Sequence, residues 1–511
     1  MNTNKKLFVF NLGSLLVLNY LVYRFFYFGF YKYENIYLES DFFLLKSFLT
    51  LPNLIYFFLA TAIILLNRKK LGWKHDWYYK FRLPVIIIFT VIGLYFISTG
   101  YNFYFDSGFY FDKLIILLFI ILVNISPYFL LFLYPLIWFS MAQLNLPVGG
   151  YSITDKMLPL MLMNFFVSSV VFHNAFKFKF KLINSLKIDQ YFFKELVFSG
   201  LLIIVAGAYF LPFLGKLSIS PGLFDWSFKE DFALAAVKYF ERGWLLNFNY
   251  KTTIVELVKN LSPLLLTLAL FVEGSVLLIS KSKKTAMIVL LLVVILHFAI
   301  FSLSGILFWK WILADLCIFY IIYKYRWEVF SKSFYKYTIF IFIIFSDIFL
   351  PFNRLAWFST NYSSDYYINV IDENNHEYSV TPNSFYPYEI FMEFSRWNLY
   401  NSNLNSTTNE FAKVTYDYDK KKFNDKNLNH TNLIDIKKFF KRYFKNYNNN
   451  SSKRWGNFLP NHIYSNPGSK MDFDFKTTVK TIKIYHKECL YNDNLEKICE
   501  VDLIDVININ K

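Results

Sequence analysis

FKELVFSGLLIIVAGAYFLPFLGKLSISPGLFDW, residues 193–226, is the stretch from which the rest of the chain is read. From Leu196 to Leu214 it is apolar and uncharged, about twenty residues, long enough for a helix to cross the hydrocarbon core of a bilayer. A single lysine, Lys216, stands where that helix leaves the membrane, and a Ser/Pro/Gly loop closed by Trp226 follows. Lysines at helix ends ordinarily snorkel to the interface as solvated anchors. Held away from water, the same amine can serve as a base. The reading of this lysine decides the reading of the protein.

The chain around it has 511 residues, of which 55% are hydrophobic and 22% aromatic. A soluble chain of that size must cover its exterior with more polar surface than this. Apolar runs recur at roughly 7–27, 46–67, 83–105, 113–141, 157–175, 193–214, 257–280, 285–304, 306–323 and 337–351. The expected fold is an all-α polytopic membrane bundle of about nine spanning helices over residues 1–351. A polar C-terminal α+β domain follows over residues 352–511, on the exoplasmic side. The MNTNKK start has the charge of a signal peptide but no small-residue cleavage site after its apolar run, so it reads as a retained first helix.

The net charge of +16 lies in short loops between apolar runs, which is the positive-inside pattern and not a nucleic-acid face. RKKLGWKHDWYYKFR (68–82), KSKK (281–284) and the lysines and arginine of 323–336 are expected to be cytoplasmic together with Lys5 and Lys6. That places Lys216 and everything beyond Pro351 outside. Lys177, Lys179, Lys181 and Lys187 also ask for the cytoplasm, and three apolar runs between them and Arg82 give the wrong parity. One of 113–141, broken at Ser126-Pro127 and Pro135, and 157–175 is therefore expected to be re-entrant or to lie along the interface.

Residues 217–256 mix aromatics and charges at helical spacing, as an interfacial amphipathic segment does. In the C-terminal part, Tyr366–Val380 reads as two strands around a turn at Glu373–Asn375. Residues 477–506 read as a second hairpin with Asn492–Asn494 at its tip, and Leu433–Phe444 as a helix. Three cysteines make neither a disulfide scaffold nor a four-ligand zinc site. Cys489 and Cys499 flank the second turn almost symmetrically, so an antiparallel hairpin can set them opposite each other as a disulfide. Three ionisable residues fall inside apolar runs, where they face a bundle interior or a cavity: His297, Glu273 and, less pointedly, Asp315. Glu273 is a counter-ion for either Lys216 or His297. No HExxH, CxxC, phosphate loop, GxGxxG or GxSxG word is present, so neither a metal nor a nucleotide is expected.

The words YFLPFLGKL (209–217) and Trp226 resemble the YFxxGxxKL…W word of the vitamin K-dependent gamma-carboxylase family, which includes bacterial horizontally transferred transmembrane (HTTM) proteins. HFAIFSLSGILF (297–308), WLLNF (244–248), IFLPFNRLAWFST (348–360) and the IKIYHKE…EVDLIDV hairpin follow in the family's order. Two departures stand out. Pro212-Phe213 replaces a small, flexible residue, and Val123-Asn124-Ile125-Ser126-Pro127 lacks the histidine of the family's Asn-His pair.

The resemblance implies a carboxylase of the carbon–carbon lyase class that uses a reduced quinone of the vitamin K type, O2 and CO2. Lys216 would be its catalytic base, and His297, Glu273, Trp226 and Tyr209 would line the pocket for substrate and cofactor. An exoplasmic protein or peptide would be the substrate. It also implies a bacterial inner-membrane location, amino terminus in the cytoplasm and C-terminal domain in the periplasm. The second reading is a non-catalytic membrane protein whose exoplasmic domain holds a partner.

Overall fold

A computed structural model describes residues 3–28, 49–74, 76–98, 108–144, 156–182, 190–218, 224–229, 251–304, 307–352, 362–380, 478–491 and 497–509, with single positions at 233 and between 437 and 448. Most of the 217–256 segment, WLLNF, residues 400–436 and the Asn492–Asn494 tip lie outside these residues.

Eleven long helices are described: α1 (Thr3–Phe26), α2 (Leu51–Leu66), α3 (Arg82–Ser98), α4 (Gly108–Ile125), α5 (Leu130–Leu144), α6 (Met157–Leu182), α7 (Gln190–Leu217), α9 (Lys251–Gly274), α10 (Lys283–Ser304), α11 (Trp309–Lys324) and α12 (Ser333–Ile344). A short α8 (Asp225–Lys229) sits between α7 and α9. Six stretches are long and apolar enough to cross a membrane: Lys5–Phe26, Trp77–Tyr95, Met157–Ala175, Phe192–Leu217, Thr253–Leu278 and Lys283–Ser302. Large apolar side chains face outward, among them Phe58 and Leu66 at 74% and 79% exposure. An exterior of that kind is stable against lipid and not against water, so the chain is a multi-pass membrane protein.

α6 and α7 form the middle, with nearly every apolar side chain of Leu196–Leu211 buried. Their close approach depends on small residues. A Cβ on Gly200 would lie 2.1 Å from the Phe165 ring of α6, and one on Gly207 2.5 Å from Leu350. Without a hydrophobic drive between helices in lipid, such tight contacts are what hold them together.

The 113–141 run is not one continuous helix. Ser126 is extended and its Oγ accepts the Tyr128 N–H, starting a short 3-10 turn at Pro127–Phe129. α4 and α5 then fold back on each other, and Phe119 stacks on Phe132 with centroids 5.1 Å apart. In one continuous helix those two residues would be about 20 Å apart. α6 is a single uninterrupted helix that runs on through Lys177, Lys179 and Lys181.

The basic segments gather at one end of the bundle. Trp73 donates to the Val123 carbonyl, Tyr78 to the Tyr128 hydroxyl and Asn67 to Asn174. Lys80 lies 4.6 Å over Trp327, whose ring stacks on Phe198 at 4.0 Å. Lys283 donates to the Tyr323 carbonyl. The 68–82 stretch is thus more than a solvated basic loop, since Trp73, Trp77, Tyr78 and Phe81 are buried.

The C-terminal part is a four-stranded antiparallel sheet in the order β2-β1-β3-β4: β1 (Tyr362–Asp372), β2 (Glu377–Val380), β3 (Val479–Tyr491) and β4 (Lys497–Asn508). The β1–β2 turn closes with Asn375 at φ 63°, a conformation asparagine tolerates better than most residues. Ile368, Val370, Ile482, Ile484 and Ile507 form its buried side, where Phe440 and Phe444 are also buried. Lys437 pairs with Asp505 there. Cys489 faces Cys499 across β3 and β4, and Cys499 is disulfide-bonded while Cys317 is free and buried.

Candidate functional site

α7 carries Tyr209 and Lys216 seven residues apart, two helical turns and about 10.5 Å along one face. Each is the centre of a separate polar cluster.

Lys216 is 8% exposed. Its Nζ donates to both carboxylate oxygens of Glu273, at 2.6 and 2.7 Å, from the last turn of α9. Trp226 of α8 lies over the ammonium with its ring centroid 5.2 Å away. Phe213 packs against Gly274, which holds the ends of α7 and α9 together just beside the pair. Of the two counter-ion roles open to Glu273, the structure assigns it to Lys216.

Tyr209 reaches the other way. Its hydroxyl donates to Asp315 Oδ2 of α11 at 2.5 Å and is hydrogen-bonded to His297 Nε2 of α10 at 2.9 Å. The direction of the Tyr209–His297 bond follows the histidine tautomer: with Asp315 ionised, Tyr209 donates to Asp315 and His297 Nε2 donates to Tyr209, which leaves Nδ1 an acceptor. His297 Nδ1 and Asp315 Oδ1 are buried and meet no hydrogen-bond partner among the described residues. Phe308 and Trp311 pack on the imidazole, at 5.3 and 5.8 Å, and Trp311 also meets Tyr209 and Phe352.

The residues expected in one pocket, Lys216, Glu273, Trp226, Tyr209 and His297, thus form two adjoining groups. Asp315, given less weight in the sequence, is the completing member of the second. The Val123–Pro127 turn lies elsewhere. It packs on Trp73 and Tyr78, and Trp77 beside them meets Phe193 near the start of α7. Lys216 is at the far end of that 28-residue helix. Among the described residues no group of three or more His, Cys, Asp or Glu side chains is placed to hold a metal ion.

The two clusters bring together one amine, two carboxylates, one imidazole and one phenol, groups able to exchange protons, with aromatic rings packed around them. No family model matches the sequence, and no curated protein or solved structure is significantly similar to it.

Proposed function

We propose that the protein is a membrane enzyme that takes a proton from a lipid-borne acidic hydroxyl, with Lys216 as base. Its finer identity in this reading is a quinol- and O2-dependent carboxylase acting on an exoplasmic protein or peptide. The observation that supports it is the buried Lys216–Glu273 pair under Trp226. Two opposite charges kept from water are costly, and a proton crossing the 2.6 Å between them makes both groups neutral. The neutral amine that base chemistry requires is then formed inside the site, with no proton exported. A reduced quinone would supply the acidic hydroxyl and, with O2, the strong base that carboxylation of a glutamate side chain needs. The residues present fit its ring: the unpaired His297 Nδ1 and Asp315 Oδ1 suit a hydroxyl, and Phe308 and Trp311 suit an aromatic face.

The orientation follows from charge. With the basic end in the cytoplasm, successive helices are read as alternating in direction along the chain. That puts Lys216, the β-sheet and the Cys499 disulfide on the exoplasmic side, where disulfides persist.

The competing reading is a non-catalytic bundle with an exoplasmic binding domain. The two hydrogen bonds from one amine to one carboxylate favour it, since a structural staple would look the same. The test is purified protein in lipid nanodiscs with reduced quinone, O2 and labelled bicarbonate. Label in peptide is expected from the wild type and none from Lys216→Arg, because a guanidinium does not give up its proton. A wild type that never incorporates label, or a fully active Lys216→Arg, removes the enzyme reading and leaves the staple.

A further inference from the structure

Asp315, Tyr209 and His297 come from three helices, α11, α7 and α10, and meet as one hydrogen-bonded chain. Asp315 is wholly buried, and Tyr209 and His297 are 3% and 6% exposed. A network kept only to fasten helices is expected to satisfy its own atoms, since each buried orphan costs about 1–3 kcal/mol. Here both ends stay open, at His297 Nδ1 and Asp315 Oδ1. A hydroxyl that both donates and accepts sits between a carboxylate and an imidazole, and that is the layout of a wire.

We propose that Asp315–Tyr209–His297 is a one-proton relay serving the Lys216 centre. Taken with Asp315 ionised, the chain holds two protons, on Tyr209 Oη and His297 Nε2. A proton delivered at the site, distinct from the one Lys216 takes, binds His297 Nδ1. The Nε2 proton then passes to Tyr209 Oη, and the Tyr209 proton passes to Asp315 Oδ2. One N–H bond forms at Nδ1 and one breaks at Nε2, and the phenol exchanges one proton for another. The chain ends neutral, with three protons. Imidazole and phenol finish uncharged, and only the histidine tautomer and the carboxyl record the transfer. Running the steps backward returns the proton at the same Nδ1.

The surroundings offer little else to titrate. Lys216 and Glu273 are committed to each other. Lys310, at the start of α11, lies over the Tyr95 and Trp309 rings at 4.4 and 5.0 Å. Cys317, two residues past Asp315, is a buried thiol that feels the Asp315 charge. The use of the relay rests on the base reading of Lys216; its existence does not.

The experiment is a pH series on full-length protein in nanodiscs with nitrogen-15-labelled histidine, His297 being assigned by loss of its signals in His297→Gln. The relay predicts one step in which the His297 proton moves between Nδ1 and Nε2 while the ring remains neutral. An infrared carboxyl change that Asp315→Asn abolishes should share its midpoint. Tyr209→Phe, which keeps the ring and removes the hydroxyl, should uncouple the two. A single His297 tautomer across the whole pH range in which the protein stays folded overturns the relay, as does an unchanged coupled step in Tyr209→Phe. In the label-incorporation assay, Tyr209→Phe should lower kcat roughly tenfold to a hundredfold with KM little changed. A tautomer step without turnover sinks only the base reading. Turnover without the step sinks only the relay.

Discussion

Each end of α7 holds a buried carboxylate, and the two are used differently. Near the start, Glu195 is 4% exposed and accepts the Val329 backbone N–H, fixing the 3-10 turn Glu328–Phe330 against the helix. Lys80 nearby is occupied by the Trp327 ring and the Arg326 carbonyl. At the other end Glu273 meets, among the described residues, a side-chain amine and no backbone donor, while two atoms of the neighbouring cluster stay unpaired there. A carboxylate that caps backbone cannot release its partner without unfolding a turn. One that faces an amine can exchange a proton and keep its place.

The largest effect should come from unpairing the outer end. Glu273→Gln leaves an ammonium buried with no counter-charge and should lower stability by about 3–5 kcal/mol. Adding Lys216→Met to Glu273→Leu should recover most of that, because a well-packed apolar pair avoids the desolvation cost. Thermal unfolding in nanodiscs reads both. A Glu273→Gln protein as stable as the wild type would show that water reaches the pair and that the two ends do not differ.

Glu195→Leu comes next. It strands the Val329 N–H and should cost about 1–3 kcal/mol, with faster hydrogen exchange at Val329 and no change in label incorporation. Loss of label with the fold intact would place Glu195 in the chemistry and erase the contrast.

The smallest effect sharpens the comparison in water. In the sheet, Asp372 does the same work as Glu195: its Oδ1 accepts the N–H groups of Asn374 and His376, and Tyr378 donates to Oδ2. Burial pushes its carboxyl up, but these hydrogen bonds outweigh that and hold it below the ordinary value. With a lowered folded value, its stabilisation is complete above the unfolded carboxylate range and drains as pH falls below about 4. Amide exchange at Asn374 and His376 should accelerate through that window in the wild type. In Asp372→Asn it should already be fast and nearly independent of pH.

The elements themselves could be read largely from the chain. Length of apolar runs found the helices, alternation with turn residues found both hairpins, and the spacing around Asn492–Asn494 anticipated that Cys489 and Cys499 would face each other. Edges were less legible, as 46–67 shortened to Leu51–Leu66, because apolar loop residues continue a hydropathy signal past the last helical turn. The fold-back at Ser126-Pro127 was harder still. A proline break says that a helix stops, and only the Phe119–Phe132 contact says that the next one returns. The site was half visible. Seven-residue spacing puts Tyr209 and Lys216 on one face, but which neighbour each long side chain reaches depends on how α9, α10 and α11 are rotated. An apolar run carries no record of that rotation. The signal that would have raised Asp315 was its position in an apolar run that follows His297's own run after a short link, which makes a contact between antiparallel neighbours natural.

The turn at Ser126–Phe129 has a reach beyond its size. It makes neighbours of two apolar helices that share no other link in the chain, so straightening it would part Phe119 from Phe132 and take the Tyr128 hydroxyl away from Tyr78. The buried aromatic floor built by Trp73, Trp77, Tyr78 and Phe81 would lose the surface it rests on.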